Sequence, residues 1–279
     1  MNANARIARL ARSADTRYKC GDYKQAAAEY RVAIALAEQA GGFPQLAFSS
    51  LLNNLGVVCK YLGAFDEAES VYHRALAILE QTLGPDHPEV ATLYHNLGGL
   101  EHARGRHAAG EPFARRSVEI RERALGSEHV DVAADLGALA ALLDGQRKFT
   151  ESEPLYARTL AIFERAYGPD HYEVGMNIGN LAALKHAQGK LAEAEPLYRR
   201  ALHIKEQSLG ANHPSVATTL NNMAVLARAQ GHPVQAAALF ERALSILQPA
   251  LGDAHPHMAA CRSGHESLLE RRTASHEPA

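Results

Sequence analysis

Glycine occupies positions 42, 84, 126, 168, 210 and 252, six consecutive multiples of 42. The last five sit in loops of one pattern: Leu83-Gly84-Pro85-Asp86-His87-Pro88, Leu125-Gly126-Ser127-Glu128-His129, Tyr167-Gly168-Pro169-Asp170-His171, Leu209-Gly210-Ala211-Asn212-His213-Pro214 and Leu251-Gly252-Asp253-Ala254-His255-Pro256. A fixed period of this length marks a repeat array, in which each unit buries its apolar face against its neighbours. A second glycine recurs at 21, 63, 105, 189 and 231, half a period away. Each unit is therefore two segments, here helix A and helix B, of about four helical turns each plus a turn.

Helix B carries three recurring positions. Ala26, Ala68, Ala194 and Ala236 share the first; Tyr30, Tyr72, Tyr156, Tyr198 and Phe240 the second; Ala33, Ala75, Ala201 and Ala243 the third. Spacings of four and then three put all of them on one helical face. Small residues let the partner helix approach, and the ring fills the space between layers. In helix A, Leu52, Leu55 and Gly56 recur as Tyr94, Leu97 and Gly98, and as Ile178, Leu181 and Ala182.

The predicted helix pairs are 3–20 with 24–40, 45–61 with 66–82, 88–104 with 108–124, 129–144 with 150–166, 171–187 with 192–208, and 213–229 with 234–250. A capping helix over 256–272 follows, then a disordered tail over 273–279. The units run over about 3–42, 43–84, 85–126, 127–168, 169–210 and 211–252, in one body covering 1–272. Pro88, Pro214 and Pro256 suit a first helical turn, where no N–H is needed. Pro112, Pro154 and Pro196, inside helix B, predict a slight bend rather than a break. Unit four is irregular: Arg147 replaces the turn glycine and Asp144-Gly145 comes two residues early, so its helix A should stop near Leu143.

The order of apolar residue, leucine, small residue, turn glycine, aromatic, alanine, aromatic, alanine resembles the tetratricopeptide repeat (TPR). With NNL and NLG in helix A, AEPLYRRAL in helix B and LGPDHP between units, the 42-residue form resembles the kinesin light chain type, over roughly residues 3–272. The resemblance implies an all-α, right-handed α-solenoid of about six helix pairs plus the cap. It also implies that helix A lines a concave groove, in which asparagines contact the backbone of an extended peptide. Asn54, Asn96, Asn180 and Asn222 occupy that position. An amide both donates and accepts, so a ladder of them can hold a main chain without reading its sequence. The bland alternative is a solvated polar edge. Beside the ladder lie small, mildly apolar positions and a partly cationic rim of Lys60, His102, His186 and Arg228, with Tyr61 next to it; such a groove suits a partner segment carrying some acid.

Composition bounds the remaining choices. With 29 basic and 31 acidic residues, the chain lacks the cationic excess of a nucleic-acid or membrane-surface protein. Cys20, Cys59 and Cys261 form no CxxC and read as buried or semi-buried thiols of a cytoplasmic protein. The N-terminus lacks the apolar core of a signal peptide. His87, His129, His171, His213 and His255 look like a ligand set. Packed helices lie about 8–10 Å apart, however, so equivalent histidines cannot share one metal. No HExxH, GxSxG, GxGxxG or phosphate-loop pattern occurs. Arg74, Arg116, Arg158, Arg200 and Arg242 form one ladder on helix B, and Glu69, Glu111, Glu153 and Glu195 another, each expected to reach a neighbouring helix. The expectation is a scaffold or adaptor that binds a protein or peptide, without cofactor or metal, and not an enzyme. The alternative is a regulatory array that changes curvature on binding a peptide and so controls a partner.

Overall fold

A computed structural model describes residues 3–251 and 256–274. They form thirteen helices and, among the described residues, no strand: α1 Ala3–Lys19, α2 Tyr23–Gln39, α3 Gln45–Tyr61, α4 Phe65–Leu83, α5 Pro88–Ala103, α6 His107–Leu125, α7 Val130–Gly145, α8 Phe149–Tyr167, α9 Tyr172–Ala187, α10 Leu191–Leu209, α11 Pro214–Ala229, α12 Pro233–Leu251 and α13 Pro256–Ala274. Every helix begins and ends within two residues of its expected bounds. The fold is an all-α solenoid of helix pairs. The proposed tail overlaps α13 at 273–274; its remainder, 275–279, lies outside the described residues, as do Gly252 and His255. No described helix is long and apolar enough to cross a membrane.

The chain divides into two compact units, Met1–Ile162 and Phe163–Ala279. In each, the repeating alanines and aromatics form the core. Ala26, Ala68, Ala75, Ala194, Ala201, Ala236 and Ala243 are fully buried, and so are the rings of Tyr72 and Phe240. Gly56 shows why a small residue faces the ring: a Cβ there would lie 2.5 Å from Tyr72. Unit three has no ring at this position. Ala114 takes its place, and α5 and α6 close the gap. A Cβ on Gly110 would come within 2.7 Å of the Leu142 side chain and 3.0 Å of the Gly98 carbonyl oxygen. Leu139, Leu142 and Leu143 complete that core. Glycine here is a packing requirement that overrides its poor helix propensity.

The turn glycines adopt positive φ, which an L side chain resists. Unit four differs from the expectation. Helix α7 continues through Gly145 instead of stopping near Leu143, because Gly145 packs against His107, whose ring would lie 2.4 Å from an added Cβ. Arg147 then takes the turn itself at φ 60°. Pro112, Pro154 and Pro196 sit inside unbroken helices α6, α8 and α10. Cys59 and Cys261 are buried, but Cys20, expected to be at least half-buried, is exposed at the end of α1.

Candidate functional site

In the first compact unit the asparagine ladder is drawn inward. Asn96 is buried, and its amide donates to Asn53 Oδ1 at 2.7 Å, joining α5 to α3. Asn53 donates in turn to Asn54 Oδ1 at 3.2 Å, while Asn54 bonds the Tyr30 hydroxyl. That hydroxyl also donates to Asp15, and burial, with the carboxylate beside it, pushes the phenol pKa up. Asn54 and Asn96 thus spend hydrogen bonds on neighbouring helices.

Around them lie the other predicted residues of this unit. The rings of Tyr23 and Tyr61 stack at 5.1 Å, with Tyr18 at 5.7 Å from Tyr61. The Lys60 ammonium stands 5.6 Å from the Tyr61 ring centroid and crosses Gly99, where a Cβ would lie 3.5 Å from Nζ. Burial among these groups lowers its pKa. The rings of His102 and His107 lie 5.0 Å apart. One repeat beyond His102, on α7, Asp144 has its Oδ1 buried without a hydrogen bond, and burial raises its carboxyl to about 6.

Among the described residues of the second compact unit, the two ladder asparagines make no hydrogen bond to a neighbouring helix. Asn180 is half-buried and makes no hydrogen bond to another described residue. Asn222 accepts a long bond from Asn221 at 3.4 Å, and its own amide protons are unspent. A cavity of about 350 Å³ opens between α9 and α11, lined by Ala183, His186, Ala187, Tyr198, Asn222 and Val225. Of the expected site residues, the structure brings Asn222 and His186 together here. The half-buried His186 has its pKa lowered by burial, so it faces the cavity as a neutral ring. Arg228 instead turns toward α13, donating to Ser267 Oγ at 2.9 Å.

The two charged ladders of helix B do reach neighbouring helices. Arg74 pairs with Glu38, Arg158 with Glu122, Arg200 with Glu164 and Arg242 with Glu206, each across a spacing of 36 residues. Arg116 uses Asp86 instead. Glu69 meets Arg104, Glu111 meets Lys148, and Glu195 meets Gln230. The loop histidines are helix N-caps. Nδ1 of His87, His129, His171 and His213 accepts from the backbone N–H two residues on, at 3.1–3.3 Å. This satisfies a donor that the helix start leaves unpaired. Among the described residues no three His, Cys, Asp or Glu side chains gather as a metal site.

Sequence reasoning missed the buried polar groups between helix B and the following helix A. Arg121 Nη1 pairs with Asp135 Oδ1 at 3.0 Å and Nη2 with Thr92 at 2.7 Å, and His95 Nδ1 lies 2.7 Å from the same carboxylate oxygen. In the second unit Lys205, 5 % exposed, donates to Thr219 Oγ1 at 2.9 Å. The available signal was a charge in an otherwise apolar column, since Arg121 and Lys205 align with Ala37, Leu79, Phe163 and Leu247.

The tetratricopeptide repeat family matches residues 47–123, 89–165, 139–207 and 174–248, and the chain belongs to that family. No curated protein matches it in sequence. Among solved structures it is similar to NprR in complex with its cognate peptide NprX, at 13 % identity and TM-score 0.67, covering 96 % of this chain and 71 % of that one. It is also similar to BtubC (BKLC) from P. vanneervenii, at 23 % identity and TM-score 0.56, covering 92 % and 94 %. A Podosopora anserina protein of nearly identical TPR-like repeats of the kinesin light chain kind matches at 23 % identity and TM-score 0.52, covering 74 % and 97 %.

Proposed function

We propose that this chain is a protein-interaction scaffold or adaptor, which holds an extended peptide segment of a partner along the face formed by its A helices. The observation that carries the reading is the cavity between α9 and α11. It is small-walled, about 350 Å³ in volume, and edged by the unspent amide of Asn222. A cavity of that size takes one side chain of a bound segment, while Asn180 and Asn222 hold its main chain. In the first unit, Tyr61, Lys60 and His102 lie at the corresponding ends of their own A helices. The fold likeness to NprR, whose structure holds a cognate peptide, supports a peptide as the ligand class.

The test is Asn180→Ala with Asn222→Ala, measured against a peptide selected from a display library by the unmodified chain. A hydrogen bond left unmade at a desolvated interface costs about 1–3 kcal/mol, so the pair should weaken binding at least about tenfold with helix content intact. Arg116→Ala with Arg158→Ala should lower the melting temperature and change affinity less. Normal binding by the asparagine variant and lost binding by the arginine variant would move the binding face to helix B.

A further inference from the structure

Lys205 on α10 passes between α9 and α11 toward the face that carries Asn180 and Asn222. Its ammonium carries three protons, and Thr219 Oγ1 accepts one at 2.9 Å. Thr219 is itself within reach of the Ser215 carbonyl at 3.4 Å, so its own proton has an acceptor. The other two ammonium protons have no acceptor among the described residues. No carboxylate pairs with the charge, and the nearby titratable group is His213, whose pKa is lowered by burial and then by Lys205 itself. Burial alone brings the lysine down from 10.5 to about 8.

The same molecule shows what completes such a site. Exactly two repeats earlier in sequence, the equivalent cation is Arg121, and the position of Thr219 is held by Asp135, which supplies the carboxylate at 3.0 Å. There His95 covers the pair from the face of α5, at 2.7 Å from Asp135. Its counterpart on α9 is Gly179, which has no side chain. A Cβ on Gly179 would lie 3.7 Å from Lys205 Nζ, so only bare backbone lies between this ammonium and the half-exposed surface of α9. The cavity begins one turn further along, at Ala183 on α9 and Asn222 on α11.

We infer that Lys205, Thr219 and Gly179 form a recognition subsite for an acidic side chain, Asp or Glu, of the segment bound along this face. The ligand's carboxylate enters over Gly179, on the side where His95 lies two repeats earlier, and supplies the negative charge that Asp135 supplies there. It accepts the two unspent ammonium protons, and the charge that the fold leaves unpaired is neutralised on binding. A side chain fits better than a chain terminus, because the face continues past the subsite on both sides, over Met176 and Thr218 in one direction and Ala183 and Val225 in the other. The inference deepens the peptide-binding reading and rests on it for the ligand's backbone, but not for the carboxylate contact.

The experiment uses the full chain with ¹³Cε-labelled lysine and three probes of one skeleton. N-acetylglutamate α-amide carries only a side-chain carboxylate, N-acetylglutamine only a main-chain carboxylate, and N-acetylglutamine amide no charge. The first should move the Lys205 resonance and raise its titration midpoint above about 8, because an adjacent carboxylate favours the ammonium. The other two should leave it in place. Gly179→Ala, whose Cβ makes only ordinary contacts, should keep the fold and block the response. Thr219→Asp should raise the midpoint without probe and abolish the response. An unmoved Lys205 overturns the inference, as does an equal response to N-acetylglutamine or an unchanged response in Gly179→Ala. Because these probes have no extended backbone, loss of peptide affinity in the Asn180 and Asn222 variants with a silent Lys205 would sink the subsite alone. A responsive Lys205 with unaffected peptide binding would sink the groove reading alone.

Discussion

The two compact units build the same helix-pair frame and finish its polar interior in opposite ways. In the first, Arg121 and Asp135, with side chains 11 % and 0 % exposed, neutralise one another; Thr92 accepts from the other guanidinium nitrogen and His95 meets the same carboxylate oxygen, while Asp135 Oδ2 stays buried without a partner. Asn54 and Asn96 are likewise committed to Tyr30 and Asn53. In the second, Lys205 meets only a hydroxyl and Gly179 replaces the histidine. Asn180 keeps unspent hydrogen-bonding capacity, as does Asn222 at the edge of a cavity. Burial of alanines and rings is equal in both, so packing does not account for the contrast. At this position the first unit pairs its buried cation with a carboxylate, although Asp135 Oδ2 and Asp144 Oδ1 stay without a hydrogen bond; the second leaves its ammonium uncompensated at a cost in stability, which on the proposed reading a ligand offsets.

The contrast breaks most visibly if the carboxylate of the closed site is removed. Asp135→Ala leaves the buried Arg121 guanidinium unpaired, and breaking such a pair costs about 3–5 kcal/mol. Thr219→Ala at the equivalent position of the open site removes the one hydrogen bond that Lys205 makes among the described residues, worth about 1–3 kcal/mol when its partner is left buried. Chemical denaturation of both variants should show the first loss clearly larger. Equal losses would mean that the two sites are not differently completed.

Lys205→Met sharpens the same point with the opposite sign. Because the folded state depresses this lysine from 10.5 to about 8, it holds fewer protons than the unfolded chain between those values, and stability rises with pH across that window. Below pH 8 the fold carries the whole cost of a buried, unpaired charge. The methionine variant should therefore be more stable at pH 7 by on the order of 1–3 kcal/mol. Its advantage should shrink as pH rises from 8 to 10.5. A variant less stable at pH 7 would show that the Thr219 bond outweighs desolvation.

The helix map was legible because glycine, alanine and tyrosine recur at fixed spacing, and each acts on its own backbone or on the next helix in register. What stayed hidden depends on pairs with no periodic counterpart. Arg121 and Asp135 stand where other units place Leu79 and Leu93, so no column announces their bond. The link from Asn96 joins it to Asn53, the residue beside its ladder neighbour Asn54, across 43 residues, a geometry that a per-position reading treats as two separate surface amides. The histidine N-caps were visible as a column, but their role required the ring orientation that places Nδ1 on the second backbone N–H. Gly145 was misread as a turn because glycine serves both turns and close packing, and only the position of His107 decides between them.

The smallest effect concerns that irregular turn. In the first compact unit Arg147 holds φ 60°, where the matching turn of the second unit has Gly189 at φ 78°. A left-handed backbone costs an L residue about 1–2 kcal/mol, while the Arg147 guanidinium recovers part of it by lying 5.3 Å from the Phe149 ring centroid, a contact worth about 0.5–1 kcal/mol when exposed. Glycine removes the strain but also loses the ring contact and adds unfolded-state freedom. Arg147→Gly should therefore stabilise the chain by at most about 1 kcal/mol on this balance. Arg147→Ala keeps the Cβ penalty and loses the contact, so it should destabilise by a similar small amount. Thermal melting of the two variants separates the contributions: if Arg147→Gly melts lower than the unmodified chain, the ring contact, and not backbone strain, governs this turn.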